Sequence, residues 1–181
     1  MSGRVAIVGG GLVGATLGLA LERAGLDACV VEARPPTPES AGSDPRTVAL
    51  SPASIAFLTE LGAWTAPAPE GACPYGAMEV WDADGTGRVR FEAEALGVPS
   101  LGTITPNGAI LARLWGRLEA RGVPCVTGAG VADLVRSADR ARLLLDDGRT
   151  LEADLVVAAD GGRSRIRALA GIPVRSRAMD Q

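Results

Sequence analysis

Three glycines constrain this chain more than any other feature. Gly9, Gly11 and Gly14 stand between "RVAIVG", a short β-branched run that starts at Arg4, and "LVGATLGLALERAG", which carries helical spacing. Leu12, Ala15, Thr16, Leu19 and Ala20 fall on one helical face, and Gly25 stops the pattern. "DACVVEA" follows as a second buried strand. Strand, glycine turn, helix and strand form a βαβ unit, so the predicted fold class is α/β. A secretory reading of the same run, with Arg4 as a short basic n-region, meets two objections. Gly9, Gly10, Gly11, Gly14 and Gly18 crowd a stretch that would have to be a continuous apolar helix, and the pattern changes period in the middle.

Each glycine of Gly9-x-Gly11-x-x-Gly14 has a physical task in a dinucleotide-binding turn. Gly9 permits the tight turn, Gly11 lets the backbone approach a pyrophosphate, and Gly14 lets helix and strand pack closely. The helix then offers unpaired N–H groups and its positive dipole end to the phosphates. Glu32 closes the second strand eighteen residues beyond Gly14. A carboxylate there accepts hydrogen bonds from ribose hydroxyls. It also disfavours a 2′-phosphate, so the site suits FAD or NAD better than NADP.

Composition removes several classes of function. The chain has 181 residues, 47% of them hydrophobic, and a net charge of −3. That balance argues against nucleic acid, which needs a basic face. Histidine is absent, so no Ser-His-Asp triad, Cys-His pair or histidine metal site can exist within this chain. Cys29, Cys73 and Cys125 are far apart, and Cys29 and Cys125 lie in apolar runs as small core residues. A reducing, cytoplasmic setting fits them best. No transmembrane segment is expected.

Further along, "ARPPTPESAGSDPRT" reads as a loop and "SPASIAFLTELGAW" as a helix with Ser51 as N-cap, Pro52 in its first turn and Gly62 as stop. "APAPEGACPYG" reads as a linker. "AMEVWDADGTGRVRFEAE" reads as a hairpin around Asp84-Gly85. "NGAILARLWGRLEARG" is an amphipathic helix with Ile110, Leu111, Leu114 and Leu118 on one stripe. "VPCVTGAGVADLVRS", "RARLLLDDG" and "RTLEADLVVAAD" read as successive strands, with a hairpin signal at Asp147-Gly148, and "SRIRALAG" begins a short last helix. Trp64, Trp81 and Trp115 are expected in core and lobe packing rather than as a stacking set.

Taken together, three stretches resemble the class A flavin-dependent aromatic hydroxylases. "DLVVAADGGRSRIR" is similar to that family's Asp-Gly motif, with Asp160, Gly161, Ser164 and Arg167 in the motif positions and Ala158 where the family usually has glycine. "DPRTVALSPASIAFLTELGAW" resembles the ubiquinone-biosynthesis hydroxylase branch, with its arginine at Arg46. "TPNGAILARLWGRL" resembles the helix whose start approaches the flavin, with Asn107 as the polar position. "GIPVRSRAMDQ" resembles the crossing into the substrate domain, with Gln181 in its usual place.

The resemblance implies a three-layer FAD/NAD(P)-binding Rossmann-like fold of parallel sheet, helices and β-meander, with part of a small β-rich substrate domain. It implies FAD-binding parts at residues 1–74 and 103–171, a substrate-domain hairpin at 75–102 and the start of a truncated substrate domain at 172–181. Noncovalent FAD is expected on Gly9, Gly11, Leu12, Val13, Gly14, Glu32 and Ala33. Arg46 and Asn107 are expected at the pyrophosphate and ribityl parts, the backbone near Val131 at adenine, and Asp160 and Gly161 at FAD and a transiently docking NAD(P)H. Asp160 as a helix cap, Asn107 as a helix cap and Arg46 as a partner of Asp44 alone stand as the structural alternatives.

The activity so implied is hydroxylation of an electron-rich aromatic ring, such as a prenylated phenol, by O2 on a flavin reduced by NAD(P)H. Peripheral association with the inner membrane or with other enzymes is left open. The family's second flavin motif, Gly-Asp with following alanines, does not occur here. The chain is therefore expected to be an N-terminal portion that binds FAD weakly and hydroxylates little alone. Another FAD-dependent dehydrogenase or halogenase, and a non-catalytic dinucleotide-binding module, remain as alternatives.

Overall fold

The computed structural model describes residues 3–37 and 42–176. The chain divides into two compact units: Met1–Pro35 with Leu118–Gln181, and Pro36–Arg117. Gln181 and the rest of residues 177–181 lie outside the described residues.

In the first unit, β1 (Val5–Val8) and β2 (Ala28–Glu32) flank α1 (Leu12–Arg23) in sequence, as the βαβ pattern predicts. They join β8 (Cys125–Thr127) and β12 (Leu155–Ala158) in a parallel sheet of order β12-β1-β2-β8. β1 and the first four residues of β2 are apolar because both faces of the sheet are covered there. Ala6, Val8, Cys29 and Val31 face a core shared with Val131, Leu143, Leu145 and Ala153 of a meander, and with Ile166. That meander is β9 (Val131–Arg136), β10 (Ala141–Leu145) and β11 (Thr150–Ala153), antiparallel in the order β11-β10-β9.

Ile7 and Val30 are also fully buried, and Val30 lies against α1. A methyl built on Gly18 of α1 would come within 2.9 Å of Val30 Cγ2 and 3.2 Å of Leu118 Cδ2. The result is the expected three-layer arrangement of helix, parallel sheet and meander. The buried stripe of α1 is Gly14, Ala15, Gly18 and Leu19. Leu12, Thr16 and Ala20 are only half-buried. The hydrophobic pattern selected the larger residues, but small residues bring the helix close to the sheet.

Two runs that read as single strands are each broken in two. "VPCVTGAGVADLVRS" becomes β8 and β9, split at Gly128, whose φ of +80° turns the chain out of the parallel sheet. "RTLEADLVVAAD" becomes β11 and β12, split at Asp154. Asp154 bonds Arg4 twice: its Oδ2 accepts from the Arg4 N–H at 2.7 Å, and its own N–H donates to the Arg4 carbonyl at 2.9 Å. A final short helix, α4 (Arg165–Leu169), closes this unit.

The second unit holds a three-stranded sheet of order β3-β7-β4, made of β3 (Thr47–Leu50), β4 (Cys73–Tyr75) and β7 (Gly102–Pro106). This sheet was not read from sequence, and β4 lies within the stretch taken as a linker. Its strands are short, and Pro74 sits on an edge strand, where a missing N–H costs nothing. The α2 helix (Pro52–Glu60) starts as predicted, with Ser51 Oγ accepting from the Ser54 N–H at 3.1 Å. The predicted hairpin is β5 (Ala77–Trp81) with β6 (Arg88–Glu92). Opposite pairs Met78–Phe91 and Val80–Val89 put apolar side chains on one face. Glu79 pairs with Arg88 on the other. Trp81 is 67% exposed, contrary to the expectation that it would be packed. Last in this run comes α3 (Asn107–Ala120), whose Ile110, Leu114 and Leu118 are at most 1% exposed.

Candidate functional site

In the first unit the residues predicted from the glycine motif and from the Asp-Gly motif meet at one place. Parallel strands end their chains on the same side, and β1, β2, β8 and β12 deliver Val8, Glu32, Thr127 and Ala158 to that side. Open α/β sheets bind their ligands outside these carboxyl ends. The Gly9–Gly14 turn leaves β1 there, and the Gly128–Val131 backbone leaves β8 beside Glu32. Asp160 and Gly161 follow β12.

The turn is built as the spacing requires. Gly9 has φ +104°, and a methyl on it would lie 2.3 Å from the Ala159 carbonyl oxygen. A methyl on Gly14 would lie 1.8 Å from the Gly9 oxygen. Gly11 differs from both. Its φ of −68° suits any residue, and a methyl there would meet nothing within 4 Å. Neither torsion nor packing explains the glycine at 11. The backbone at this position is open to an approaching group. The N-cap residue is Gly11, so α1 begins without a side-chain cap bond. Leu12 and Val13 form this first turn, and Val13 is 74% exposed.

Glu32 is held from two sides. Its Oε2 accepts from the Gly10 N–H at 2.7 Å, and its Oε1 accepts from the Arg34 N–H at 2.9 Å. These bonds fix the carboxylate at the strand end with lone pairs to spare for ribose hydroxyls. Exposed Ala33 lies next to it. A methyl on Gly130 would be 3.8 Å from Ala33 Cβ, so the two backbones run close together. Val131 turns its side chain into the core, which leaves its backbone as the part able to serve a ligand. The Gly130 N–H donates to Asp146 Oδ2 at 3.1 Å. Asp146 went unnoticed in the sequence, where it reads as part of a hairpin turn.

Asp160 is engaged as a cap. Its Oδ1 accepts from the Ser164 hydroxyl at 2.6 Å, and its Oδ2 accepts from the N–H groups of Arg165 at 2.6 Å and Ile166 at 3.1 Å. Ser164 in turn accepts from the Arg167 N–H at 3.0 Å. Burial works to raise the pKa of Asp160. The Ser164 hydroxyl and the backbone N–H donors outweigh it and carry the group below the ordinary carboxylate value. The structural alternative for Asp160 is therefore realised. The cap also anchors the turn that brings Gly161 to the sheet end.

Arg46 and Asn107 belong to the second unit. They form a tight cluster with Asp44, set by strand register. Thr47 pairs with Pro106, and the next pair outward is Arg46 with Asn107, joined by the Asn107 N–H and the Arg46 carbonyl at 2.9 Å. Asp44 accepts from Arg46 Nε and Nη2, each at 2.8 Å, and from Asn107 Nδ2 at 2.8 Å. The Arg46 guanidinium, then the Asn107 amide and the Arg46 N–H, hold Asp44 far below the usual carboxylate range. The Asp-Pro-Arg spacing was legible as a turn, but the link to Asn107 depends on the unforeseen β3–β7 pairing.

Elsewhere chemistry is sparse. Burial pushes the Cys29 and Cys125 thiols up, away from reactive thiolate. Among the described residues no group of three or more Asp, Glu or Cys side chains could hold a metal ion, and no helix is long and apolar enough to cross a membrane.

Comparison with known proteins agrees with this geometry. Residues 3–180 match the family described as FAD binding domain. The chain is 39% identical to 3-demethoxyubiquinol 3-hydroxylase of Escherichia coli, over 95% of this chain and 44% of that protein. It is 37% identical to ubiquinone hydroxylase UbiL of Rhodospirillum rubrum, over 95% of this chain and 40% of that protein. Among solved structures, 2,6-dihydroxypyridine-3-hydroxylase from Arthrobacter nicotinovorans aligns with a TM-score of 0.68 and 26% identity, over 95% of this chain and 40% of that one. The flavin-dependent monooxygenase PieE, solved with FAD and substrate, shares the fold with a TM-score of 0.74 at 23% identity, over 98% of this chain and 33% of that one. The chain thus spans less than half the length of these relatives. With residues 3–180 matched, the chain belongs to the FAD-binding domain family, and the relatives it resembles include ubiquinone hydroxylases.

Proposed function

We propose that this chain is the FAD-binding part of a monooxygenase that hydroxylates a phenolic or other aromatic ring with NAD(P)H and O2, on a ubiquinone-type precursor. The observation that carries the proposal is Gly11. It is a glycine that neither strain nor packing demands, at an uncapped helix start beside a fixed carboxylate. That arrangement fits the adenosine diphosphate half of FAD. Gly9, Gly11, Leu12, Val13 and Gly14 would face the diphosphate, Glu32 the ribose, and Ala33 with the backbone of Val131 the adenine. Arg46 and Asn107 would hold the pyrophosphate and ribityl parts. Asp160 would fix the turn that presents Gly161 to FAD and to the nicotinamide donor. Bound FAD would supply the electron transfer and oxygen activation; the residues named here bind and orient it.

Residues 75–102 are assigned to a substrate-domain hairpin and 172–181 to the crossing into that domain; 1–74 and 103–171 carry the FAD-binding parts. The names of the relatives support a quinone-precursor substrate. A cytoplasmic protein working at the inner membrane surface would meet such a prenylated substrate there.

The test is spectroscopic. The complete monooxygenase of which this chain is proposed to be the FAD-binding part, incubated with FAD and desalted, is expected to be yellow with a flavin spectrum. NADH or NADPH should bleach it faster when a phenolic substrate is present, and a hydroxylated product should form, whereas the 181-residue chain alone should form little. Bleaching without product would favour another flavin oxidoreductase. A colourless protein would favour a module that binds some other nucleotide.

A further inference from the structure

We propose that the open edge of β12 docks one more strand, an extended apolar segment from the part of the parent monooxygenase that this chain does not include. The inference rests on that part of the reading above which makes the chain a portion of a longer protein. The strand order β12-β1-β2-β8 gives β12 a neighbour on one side only. Its pairing with β1 is anchored at both ends. The Leu155 N–H donates to the Arg4 carbonyl at 3.3 Å, and the Ala159 N–H donates to the Val8 carbonyl at 2.7 Å. Alternation then turns the N–H and C=O groups of Val156 and Ala158 to the free side.

The two edges of this sheet differ. At the far edge, β8 has three residues, follows Pro124 and ends at Gly128, where a φ of +80° turns the chain away. Such features blunt an edge against pairing. β12 has none of them. Leu155, Val156, Val157 and Ala158 include no charge, proline or glycine, and a parallel strand of that composition is ordinarily buried. Leu155 is nevertheless 55% exposed, while Ile7 and Val30 in the two inner strands are fully buried.

Beside this edge, within the first unit, lies a groove of about 650 Å³. Val156 and Ala158 of β12 line it, with Leu134 of the meander, Ile166 of α4, and Ala170 and Ile172 after that helix. A strand added to β12 would satisfy the free backbone groups and turn alternate side chains toward this groove. The chain spans 44% and 40% of two of its relatives, so more than half of such a parent lies outside it and can supply the strand. A second copy fits less well. Two-fold pairing of β12 with β12 would lay groove beside groove and fill neither.

The experiment is hydrogen exchange resolved by residue, on the 181-residue chain and on the complete protein. In the chain alone, the Val156 and Ala158 amides are expected to exchange roughly a hundredfold faster than those of Val157 and Ala159. In the complete protein all four should be protected alike. Val156 and Ala158 amides that stay open in the complete protein would overturn the inference. So would protection that appears in the chain alone as its concentration rises, since a second copy would then hold the edge. Exchange reads the edge whether or not flavin binds, so failure to take up FAD would strike the FAD reading and leave the strand pairing standing. Should the chain alone fail to fold by circular dichroism, Val156→Pro in the complete protein carries the test. It removes one outward N–H and spares the bonds to β1. A melting temperature lowered by several degrees is expected, and an unchanged one would sink the inference.

Discussion

Gly11 and Gly14 look alike in sequence and differ in space. A methyl at Gly14 would collide with the Gly9 carbonyl, whereas one at Gly11 would meet nothing. Gly14→Ala is therefore expected to cost about 3 kcal/mol or more and to lower the melting temperature visibly. Gly11→Ala should fold with nearly unchanged stability and still lose most FAD affinity. Paired thermal melts and FAD titrations check both, and equal effects on the two readouts would refute the distinction. Asp160 makes a second prediction at this scale. Its folded pKa lies below the ordinary value of about 3.9. Its contribution to stability is therefore complete above that value and is lost as pH falls through the folded pKa. Acid unfolding of Asp160→Asn, followed by circular dichroism, should show a shallower loss over that low-pH window than the unsubstituted chain. Parallel curves would remove the charge from the argument.

Helices and long strands were legible where several local signals agreed. Ser51, Pro52 and Gly62 bracket α2, and the Ile110, Leu114 and Leu118 stripe marks α3. Leu114 is fully buried, so Leu114→Ala should cost about 2 to 5 kcal/mol in a denaturant titration. β3, β4 and β7 carry neither an unbroken apolar run nor a hairpin turn signal, and they are not legible in the sequence. The Asp44–Arg46–Asn107 cluster went with them, because a contact across a strand pair cannot be seen before the pair is. The splits at Gly128 and Asp154 were hidden for another reason: apolar residues continue across each break, and only the hydrogen-bond partners change. Trp81 illustrates a third limit, since composition says nothing of which tryptophan a hairpin holds outward. With 67% of its surface open, Trp81 should be the tryptophan most accessible to acrylamide, and Trp81→Phe should remove most of the quenchable emission.

At the scale of the molecule, the βαβ pattern predicts the α/β class, and the family resemblance implies the three layers that the structure has. The proposed adenosine site lies at the strand ends. Ligand binding to the folded form should then stabilise it. FAD at one hundred times its dissociation constant would add about 2.7 kcal/mol. ADP, which carries the diphosphate and adenosine but no flavin ring, is expected to raise the melting temperature as well, and riboflavin to raise it little. The reverse order would place the main binding determinants at the isoalloxazine and against the glycine turn.

The meander is spliced into the chain between β8 and β12, so it enters from one strand of the parallel sheet and returns into another. The two layers also share one core, so neither can unfold without baring the inner face of the other. A protease cut at the Ser137–Arg140 turn should therefore leave both fragments clasped together, separating only when the whole first unit melts in a single transition.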